Sequence, residues 1–336
     1  MNHMKRIAAA LGCVGALALS TVGQSHAQSA ELIEAAKQEG RIVFYSSTPD
    51  ATNEALVKAF KEAYPGIDVQ WIRMVSSALF ARFTGEVESG VNNVDFLISG
   101  SQELYQKQPE LFQVITDIEG LDKATVKAKN DHYMVPSATP HLITYNTDLV
   151  SKEDLEKHFA TWEGAADPFW KGKTALTDPR ATTNVLSFFK LLDETYGDKI
   201  LEGIAAQQPS YFDSGTPATQ QVAAGAFALA YPTGKTHSAQ VRAQGAPLAF
   251  HQPAGPAHGL ETAFAIVKEP KNPNAAKLFA TWLISPEGGQ KIYCSIGNFP
   301  AVPSDNPDCQ LSPEHVGSVD VIEPDVSARV LKLLGL

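Results

Sequence analysis

Residues 42–50 read Ile-Val-Phe-Tyr-Ser-Ser-Thr-Pro-Asp, and this stretch sets a pattern that the chain repeats. Its first four residues are of the β-branched and aromatic types that favour strands, and small hydroxyl residues follow them. Four apolar residues then recur at the spacing of one helix face: Leu56, Val57, Phe60 and Tyr64. The stretch therefore predicts a strand, a polar loop and an amphipathic helix in succession.

Strand and helix patterns alternate along the rest of the chain. The β-rich runs are Ile42 to Tyr45, Val69 to Ile72, Val94 to Ile98, Leu142 to Tyr145, Phe227 to Tyr231 and Phe264 to Val267. Longer segments with helical spacing separate these runs, for example the one from Val185 to Leu192. This alternation indicates α/β layers with largely parallel sheets.

Length and composition are those of an ordinary globular protein. The chain has 336 residues, of which 44% are hydrophobic and 19% charged, and its length suggests about two domains. The chain has 27 Lys and Arg residues and 37 Asp and Glu residues, which gives a formal charge of -10. Because such a charge repels phosphate backbones, nucleic acid is not an expected partner.

The first 27 residues have the pattern of a cleaved secretory signal peptide. Lys5 and Arg6 precede an apolar run at residues 7–23, and Ser25-His26-Ala27 supplies the small residues that signal peptidase requires. The run is shorter than the ~20 residues that span a bilayer. Lipid attachment at Cys13 is the alternative, but this cysteine lies in the middle of the apolar run. We therefore expect an exported mature protein.

The mature chain keeps two cysteines, Cys294 and Cys309. Two is the number that one disulfide bond needs in an oxidising compartment. We therefore predict a structural Cys294–Cys309 bridge rather than a catalytic thiol.

Four polar loops follow predicted strands or open predicted helices, at residues 46–50, 99–103, 178–184 and 213–217. In α/β sheets, ligands bind beyond the carboxyl ends of the strands, where free backbone N–H groups of the helix starts attract anions. The candidate ligand-binding residues of these loops are Ser46, Ser47, Thr48, Ser99, Gly100, Arg180, Thr182, Thr183, Gly215 and Thr216. The alternative is that the hydroxyl residues only cap helices, as Thr48 is placed to do.

Six stretches also carry a family resemblance. They are residues 35–46 (AAKQEGRIVFYS), 60–67 (FKEAYPGI), 94–97 (VDFL), 145–150 (YNTDLV), 274–279 (NAAKLF) and 283–290 (LISPEGGQ). In this order they resemble the extracellular solute-binding proteins of bacterial ABC importers, in the branch that includes ferric-ion, hexose-phosphate, phosphonate and polyamine binders. The resemblance covers the whole mature chain, and the last two stretches are its most specific part.

The resemblance implies a two-lobed α/β protein with the type II periplasmic-binding-protein fold, whose lobes close over a solute at a hinge. Lobe one is expected to hold residues 28–141 with 260–290, and lobe two residues 142–259, while residues 291–336 pack on either lobe. The resemblance also implies a monomeric periplasmic protein without cofactor, metal or catalytic activity. Its partners would be a small-molecule solute and the membrane permease with its ATPase.

The family divides according to its ligand. Ferric-ion binders generally place two adjacent tyrosines after the strand that corresponds to residues 227–230, but this chain reads Tyr231-Pro232-Thr233-Gly234-Lys235. The loop at residues 46–49 also lacks the metal-ligating side chain of many iron binders. Lys235, with Arg180 and Arg73, would instead attract an anion. The expected solute is therefore a small organic anion such as a phosphate ester, phosphonate or carboxylate, and ferric iron is the alternative.

Two further candidates have equally plausible structural roles. Tyr231 lies at a strand end, where it either contacts the ligand or packs in the core. Glu261 lies near the expected return to lobe one, where it either accepts a hydrogen bond from the solute or belongs to the hinge surface. The distant alternative is a secreted hydrolase that uses Asp178 or Glu261 as a base.

The motifs of common enzymes are missing. Gly234-Lys235-Thr236 is similar to part of a phosphate-binding loop, but Leu229 stands where that loop needs a glycine. The chain has no G-x-S-x-G, H-E-x-x-H or paired C-x-x-C sequence. His237, His251 and His258 lack the spacing of metal ligands, so we expect them to be surface or hydrogen-bonded residues.

Overall fold

A computed structural model describes residues 29–303, 305–317, 319 and 321–336. The predicted signal peptide and Cys13 lie outside the described residues. Within the described part of the chain, no helix is both long enough and apolar enough to cross a membrane.

The strands are β1 (Arg41–Ser46), β2 (Asp68–Arg73), β3 (Phe96–Ser99), β4 (Met134–Pro140), β5 (Leu142–Asn146), β6 (Thr174–Thr177), β7 (Ser210–Phe212), β8 (Leu229–Thr233), β9 (Leu248–His251), β10 (Ala257–Ile266), β11 (Phe299–Pro300) and β12 (His315–Gly317). The helices are α1 (Ala30–Glu39), α2 (Asp50–Ala63), α3 (Ser76–Glu88), α4 (Glu103–Lys107), α5 (Lys152–His158), α6 (Thr183–Tyr196), α7 (Asp198–Ala206), α8 (Gly215–Ala223), α9 (Ala239–Ala243), α10 (Pro273–Ile284), α11 (Gly289–Ser295) and α12 (Pro324–Leu333). The α/β class predicted from the sequence is confirmed.

The first sheet has the strand order β11-β4-β10-β3-β1-β2, with β12 paired to the beginning of β10. In β1, Phe44 faces the cluster built with α2 and α10, while Tyr45 faces the opposite cluster, which α3 and α4 cover. Both faces of the strand are therefore buried, which explains its continuous apolar run. We call this sheet and its helices lobe one.

The second sheet has the order β7-β6-β8-β5-β9 and forms the centre of lobe two. One of its faces packs against an aromatic cluster that includes Phe159, Trp162, Trp170 and Phe188. The other face is covered by α8, through small residues such as Ala218. Each lobe therefore has its own hydrophobic core.

Both sheets are mixed, so the prediction of largely parallel sheets is wrong. Strands β2, β1 and β3 are parallel, as are β7, β6 and β8. Strand β10 runs antiparallel to β3 and β4, and β5 runs antiparallel to β8 and β9. The antiparallel pairs arise because β4, β5 and β10 carry the chain between the lobes.

Three segments connect the lobes. Strand β4 passes into β5 through the single residue His141, and β9 leads back to β10. The two connections are joined by a hydrogen bond from His141 N to the His258 carbonyl, at 2.7 Å. The third connection is C-terminal: β12 pairs with β10, and α12 packs in the core of lobe two through Val330 and Leu334. In the described part of the chain, the hinge region therefore contains the β4–β5 and β9–β10 connections and the C-terminal one.

The predicted disulfide bond between Cys294 and Cys309 is present, with its Cα atoms 5.7 Å apart. It joins the end of α11 to the segment that follows β11. The bond therefore closes the loop that lies next to the hinge on the lobe-one side.

Candidate functional site

The candidate loops of the two lobes lie at facing sheet edges. Strands β1 and β3 end at the edge where β10 begins, since Ser99 pairs with Ala263 in antiparallel register. In lobe two, β8 ends opposite Leu142, the first residue of β5, and β6 runs parallel to β8. The loops after β1, β3, β6 and β8 therefore project from the sheet edges at which the chain crosses between the lobes.

The loop after β1 is built around an internal hydrogen-bond cluster. The hydroxyls of Ser46 and Thr48 lie 2.8 Å apart, and both donate to Asn53 Oδ1, at 2.9 and 2.7 Å. Both hydroxyl residues are buried, so they hold the loop in shape. Thr48 does not cap α2, because its hydroxyl is turned toward Asn53 and Pro49 occupies the cap position.

Ser47 joins the two loops of lobe one. Its Oγ accepts a hydrogen bond from the Gly100 amide at 3.0 Å. Ser99 is buried, and its hydroxyl donates to Ser76 Oγ, at the start of α3, at 3.0 Å. Arg73 is exposed beside this group and donates from Nε to the Thr48 carbonyl at 3.2 Å. The structure thus brings the predicted residues of lobe one together, Arg73 among them, and adds Ser76.

Arg180 and Asp178 form a fixed pair in lobe two. The Arg180 guanidinium donates from Nε and Nη2 to the Asp178 carboxylate, at 2.9 and 2.6 Å, and the Arg180 amide donates to the same carboxylate at 2.8 Å. These hydrogen bonds from Arg180 are the main reason that the pKa of Asp178 lies below its ordinary value. The arginine side chain is still 56% exposed. The pair therefore holds a positive group in place and leaves it open to solvent.

The other candidates of lobe two divide into exposed and structural residues. Thr182, Thr183 and Thr216 are all exposed, and Thr182 also caps α6 by accepting from the Val185 amide at 3.3 Å. Gly215 is buried against the imidazole of His237, where a Cβ atom would come within 2.2 Å of Nδ1. Only the exposed threonines can meet a solute without rearrangement.

Tyr231 lies within β8 and Lys235 in the loop that follows it, and both make structural contacts. Tyr231 is 1% exposed and packs against Phe159 and Trp162 in the core of lobe two, where burial raises its pKa. Lys235 donates from Nζ to the Asp308 carbonyl, and its ammonium lies 4.8 Å from the ring centre of Phe299. Burial lowers the pKa of Lys235. The tyrosine has a core role, and the lysine connects lobe two to the disulfide loop.

Glu261 lies at a cavity of about 540 Å³ between the loop after β3 and the C-terminal connection. Its carboxylate accepts a hydrogen bond from Gln102 Nε2 at 2.7 Å, and His315 Nε2 lies 3.5 Å from it. Gly100 also lines this cavity, as do Lys127 and Lys129. Among the predicted residues, Gly100 and Glu261 are therefore the ones that share a cavity.

The sequence interpretation missed a polar cluster at the hinge. His141 and His258 lie with their Nδ1 atoms 3.2 Å apart, and each ring also contacts a polar side chain of α6. The β4–β5 and β9–β10 connections each carry a histidine, but neither segment alone indicates that the two rings meet. In the part of the chain that the structure describes, no group of three or more His, Cys, Asp or Glu side chains is arranged to hold a metal ion.

Comparison with known proteins gives a consistent picture. A family described as bacterial extracellular solute-binding protein matches residues 55–314. A Haemophilus influenzae protein described only as uncharacterized is 27% identical over 273 residues, which is 77% of each chain.

Two solved structures share the fold. A Trichodesmium protein named IdiA or FutA, in complex with iron and citrate ligands, has a TM-score of 0.64 at 22% identity and covers 88% of this chain and 98% of its own. The periplasmic binding protein AfuA from Actinobacillus pleuropneumoniae, with exogenous fructose-6-phosphate bound, has a TM-score of 0.52 at 21% identity and covers 88% and 97%. These likenesses show the two-lobed fold of periplasmic binding proteins. The family match spans most of the chain, which therefore belongs to the bacterial extracellular solute-binding proteins.

Proposed function

We propose that this protein is the periplasmic solute-binding component of an ABC importer and that it captures a small organic anion by lobe closure. Phosphate esters, phosphonates and carboxylates are the candidate solutes. Membership of the solute-binding family supports binding and delivery rather than catalysis. Asp178, the base of the hydrolase alternative, is already engaged by Arg180, which also supports a binding role.

The observation that carries the choice of an anion is the fixed, exposed guanidinium of Arg180 at the start of α6. Asp178 engages its Nε and Nη2, which leaves Nη1 outside the pair. A planar guanidinium beside a helix start suits a phosphate or carboxylate group, because both supply N–H donors to anionic oxygens. Arg73, exposed on the facing lobe, is a second cation for the same solute.

We propose Ser47, Gly100, Arg180, Thr183 and Thr216 as the solute contacts. The remaining hydroxyl candidates, Ser46, Thr48, Ser99 and Thr182, would position these residues through the internal hydrogen bonds described above. We also propose that the boundaries between the lobes lie near residues 141 and 259. Export of the protein with removal of residues 1–27 is part of the same proposal.

Ferric iron fits the described residues less well. The single tyrosine at the position of the iron binders' pair lies in an aromatic core, and burial raises its pKa, which disfavours the phenolate that would bind a hard cation. The Trichodesmium relative of similar fold holds iron with citrate. Iron, alone and with citrate, therefore belongs in the test.

A thermal-shift screen of the purified protein, lacking residues 1–27, tests the proposal. The panel contains sugar phosphates, phosphonates, dicarboxylates, ferric ion, ferric citrate and polyamines. A solute at 100 times its dissociation constant stabilises the folded state by about 2.7 kcal/mol, which raises the melting temperature measurably. We expect a shift with one class of organic anion. A shift with ferric ion alone or with polyamines alone would overturn the choice of an anion.

A further inference from the structure

Two buried histidines meet at the hinge. His141 is the single residue between β4 and β5, and His258 is the second residue of β10, so each belongs to a different connection between the lobes. The side chains are 5% and 1% exposed, their ring centres lie 5.0 Å apart and their Nδ1 atoms 3.2 Å apart. The two rings thus join both main connections by a side-chain hydrogen bond as well as by the backbone bond.

Both rings are also bound to α6 of lobe two. Asn184 Nδ2 lies 3.0 Å from His141 Nε2, and His258 Nε2 lies 3.0 Å from Ser187 Oγ. Asn184 and Ser187 are three residues apart and therefore lie on one face of the helix. The Val319 amide, in the C-terminal connection, donates to Ser187 Oγ at 3.4 Å. One hydrogen-bond chain therefore ties all three connections to the helix that follows the Arg180 loop.

The chain fixes the proton on each ring. Asn184 Nδ2 is a donor, so His141 Nε2 accepts and His141 carries its proton on Nδ1. That Nδ1–H donates to His258 Nδ1, so His258 carries its proton on Nε2 and donates to Ser187 Oγ. Both rings are neutral, in opposite tautomers. A further proton would have to sit on His141 Nε2 or His258 Nδ1, and both of these atoms already face a donor.

The groups around the pair do not favour added positive charge. The titratable side chains that act on it from neighbouring elements are His237, His315 and Lys190. Burial is the main reason that the pKa of His141 lies well below its ordinary value. Burial is also the main reason that the pKa of His258 is lowered to about 3. Phe188 presents its ring edge-on to His141 and adds an apolar wall.

The carboxylates beside Lys190 and His315 are engaged with other side chains. Glu194 pairs with the Lys190 ammonium at 2.6 Å, and Glu261 lies 3.5 Å from His315 and accepts from Gln102. No carboxylate among the described residues forms an ion pair with either hinge histidine. A proton taken up by the pair therefore has no counter-charge in contact.

We propose that the His141–His258 pair is a pH-sensitive latch: two neutral rings hold the hinge connections against α6, and protonation in an acidic medium releases α6 and loosens the arrangement of the lobes. The release step is specific. A proton on His141 Nε2 faces the Asn184 amide donor, so Asn184 must turn its oxygen inward or move away. Because Asn184 directly follows Thr183 in the first turn of α6, this movement reaches the proposed solute loop. The inference itself requires no solute.

A distance measurement on the solute-free protein tests the latch. Glu62→Cys on α2 and Glu202→Cys on α7 place one exposed dye-labelling site on each lobe, and single-molecule fluorescence energy transfer reports the distance between the lobes. We expect one narrow distance distribution at about pH 7.5, which broadens as the pH falls from about 6.5 to about 4.5, the range below the ordinary histidine pKa.

Three variants separate the latch from general acid effects. His141→Gln keeps a neutral hydrogen-bonding group but removes the ring whose Nε2 faces Asn184, and it should abolish the broadening over this pH range. Asn184→Asp places a carboxylate where Asn184 Nδ2 lies 3.0 Å from His141 Nε2. This carboxylate accepts from the protonated ring and keeps it bound to α6, so the distribution should stay narrow over this pH range. His251→Gln, a change at a histidine bound to the Phe159 carbonyl, should retain the wild-type profile.

The proposal is overturned if the distance distribution stays constant down to about pH 4.5, or if His141→Gln broadens as the wild type does. Should His141→Gln fail to fold, Asn184→Asp decides the question alone, because broadening in that variant like that of the wild type contradicts the latch.

Discussion

The amide of Gly100 donates a hydrogen bond to Ser47 Oγ at 3.0 Å, across the 53 residues that separate them in sequence. This bond joins the loops that follow β1 and β3 at one edge of the lobe-one sheet. The proposed solute therefore meets a single fixed surface in lobe one rather than two independent loops.

Replacing Ser47 by Ala should weaken binding of the anion identified in the thermal-shift screen and lower the free energy of unfolding by about 1 kcal/mol. The stability loss corresponds to one hydrogen bond with a neutral acceptor. Titration calorimetry and urea unfolding measure the two effects. Ser77→Ala changes an exposed serine of α3 and serves as the matched control. Equal affinity in the two variants would remove Ser47 from the solute site.

Arg180→Ala should reduce the affinity for the anion by about tenfold or more, because a charge-assisted hydrogen bond to the solute is lost. The melting temperature of the solute-free protein should change little, since the guanidinium is largely exposed and its pair with Asp178 is screened by water. Isothermal titration calorimetry and a thermal melt check both expectations. Arg242→Ala removes another exposed cation of lobe two, one that lies over Phe250, and should leave the affinity unchanged. Equal losses in both variants would indicate a general charge effect instead.

Changing both Cys294 and Cys309 to Ser should lower the free energy of unfolding by up to about 3 kcal/mol, the value for a closed loop of this length. The two residues are 15 positions apart. Urea unfolding of the wild type with and without reductant should show the same difference, and reductant should have no effect on the double variant. A wild type insensitive to complete reduction would show that the loop is held by its other contacts, such as the Lys235 bond to the Asp308 carbonyl.

Gly215→Ala should destabilise the protein by about 1–3 kcal/mol, the usual cost of overpacking. The added Cβ would lie 2.2 Å from His237 Nδ1, which accepts a hydrogen bond from the Gly234 amide, so the loops after β7 and β8 would move apart. Gly85→Ala is the control. It lies within α3 with no atom near the new Cβ, and should stabilise the helix by up to about 1 kcal/mol. Urea unfolding measures the free energy of unfolding of both variants. A Gly215→Ala variant as stable as the wild type would contradict the close packing of Gly215 against His237.

The local sequence pattern predicts those strands in which the apolar residues form a continuous run. The runs at residues 42–45 and 142–145 lie within β1 and β5. Strand β4 was missed because Pro136, Pro140 and small residues interrupt its pattern, and it is held instead by pairing with β10 and β11. Only the last part of β10 was predicted, since Ala257 to Thr262 becomes a strand through long-range pairing.

The sequence also located the polar loops but not the direction in which each side chain faces. Ser46 and Thr48 turn inward to Asn53, and Tyr231 enters the aromatic core, because packing of distant segments decides burial. The His141–His258 contact joins residues 117 positions apart. A single sequence contains no local signal for such a contact.

The free energy of unfolding should fall as the pH is lowered from about 6.5 to about 5, and His258→Gln should flatten this dependence. Burial lowers the pKa of His141, His258 and His237 in the folded state. The unfolded chain therefore binds protons more readily below pH ~6.5, so the contribution of these rings is complete above that pH and is lost as the pH falls toward the folded-state pKa values.

Urea unfolding at several pH values measures this dependence, and the range above about pH 5 limits the contribution of carboxylates, which titrate near pH 4. His132→Gln is the control, since His132 lies outside the hinge and binds the Phe112 carbonyl. It should follow the wild-type curve. A His258→Gln curve as steep as that of the wild type would mean that His258 carries no proton-linked stability, because glutamine cannot take up the proton that the folded state excludes from His258.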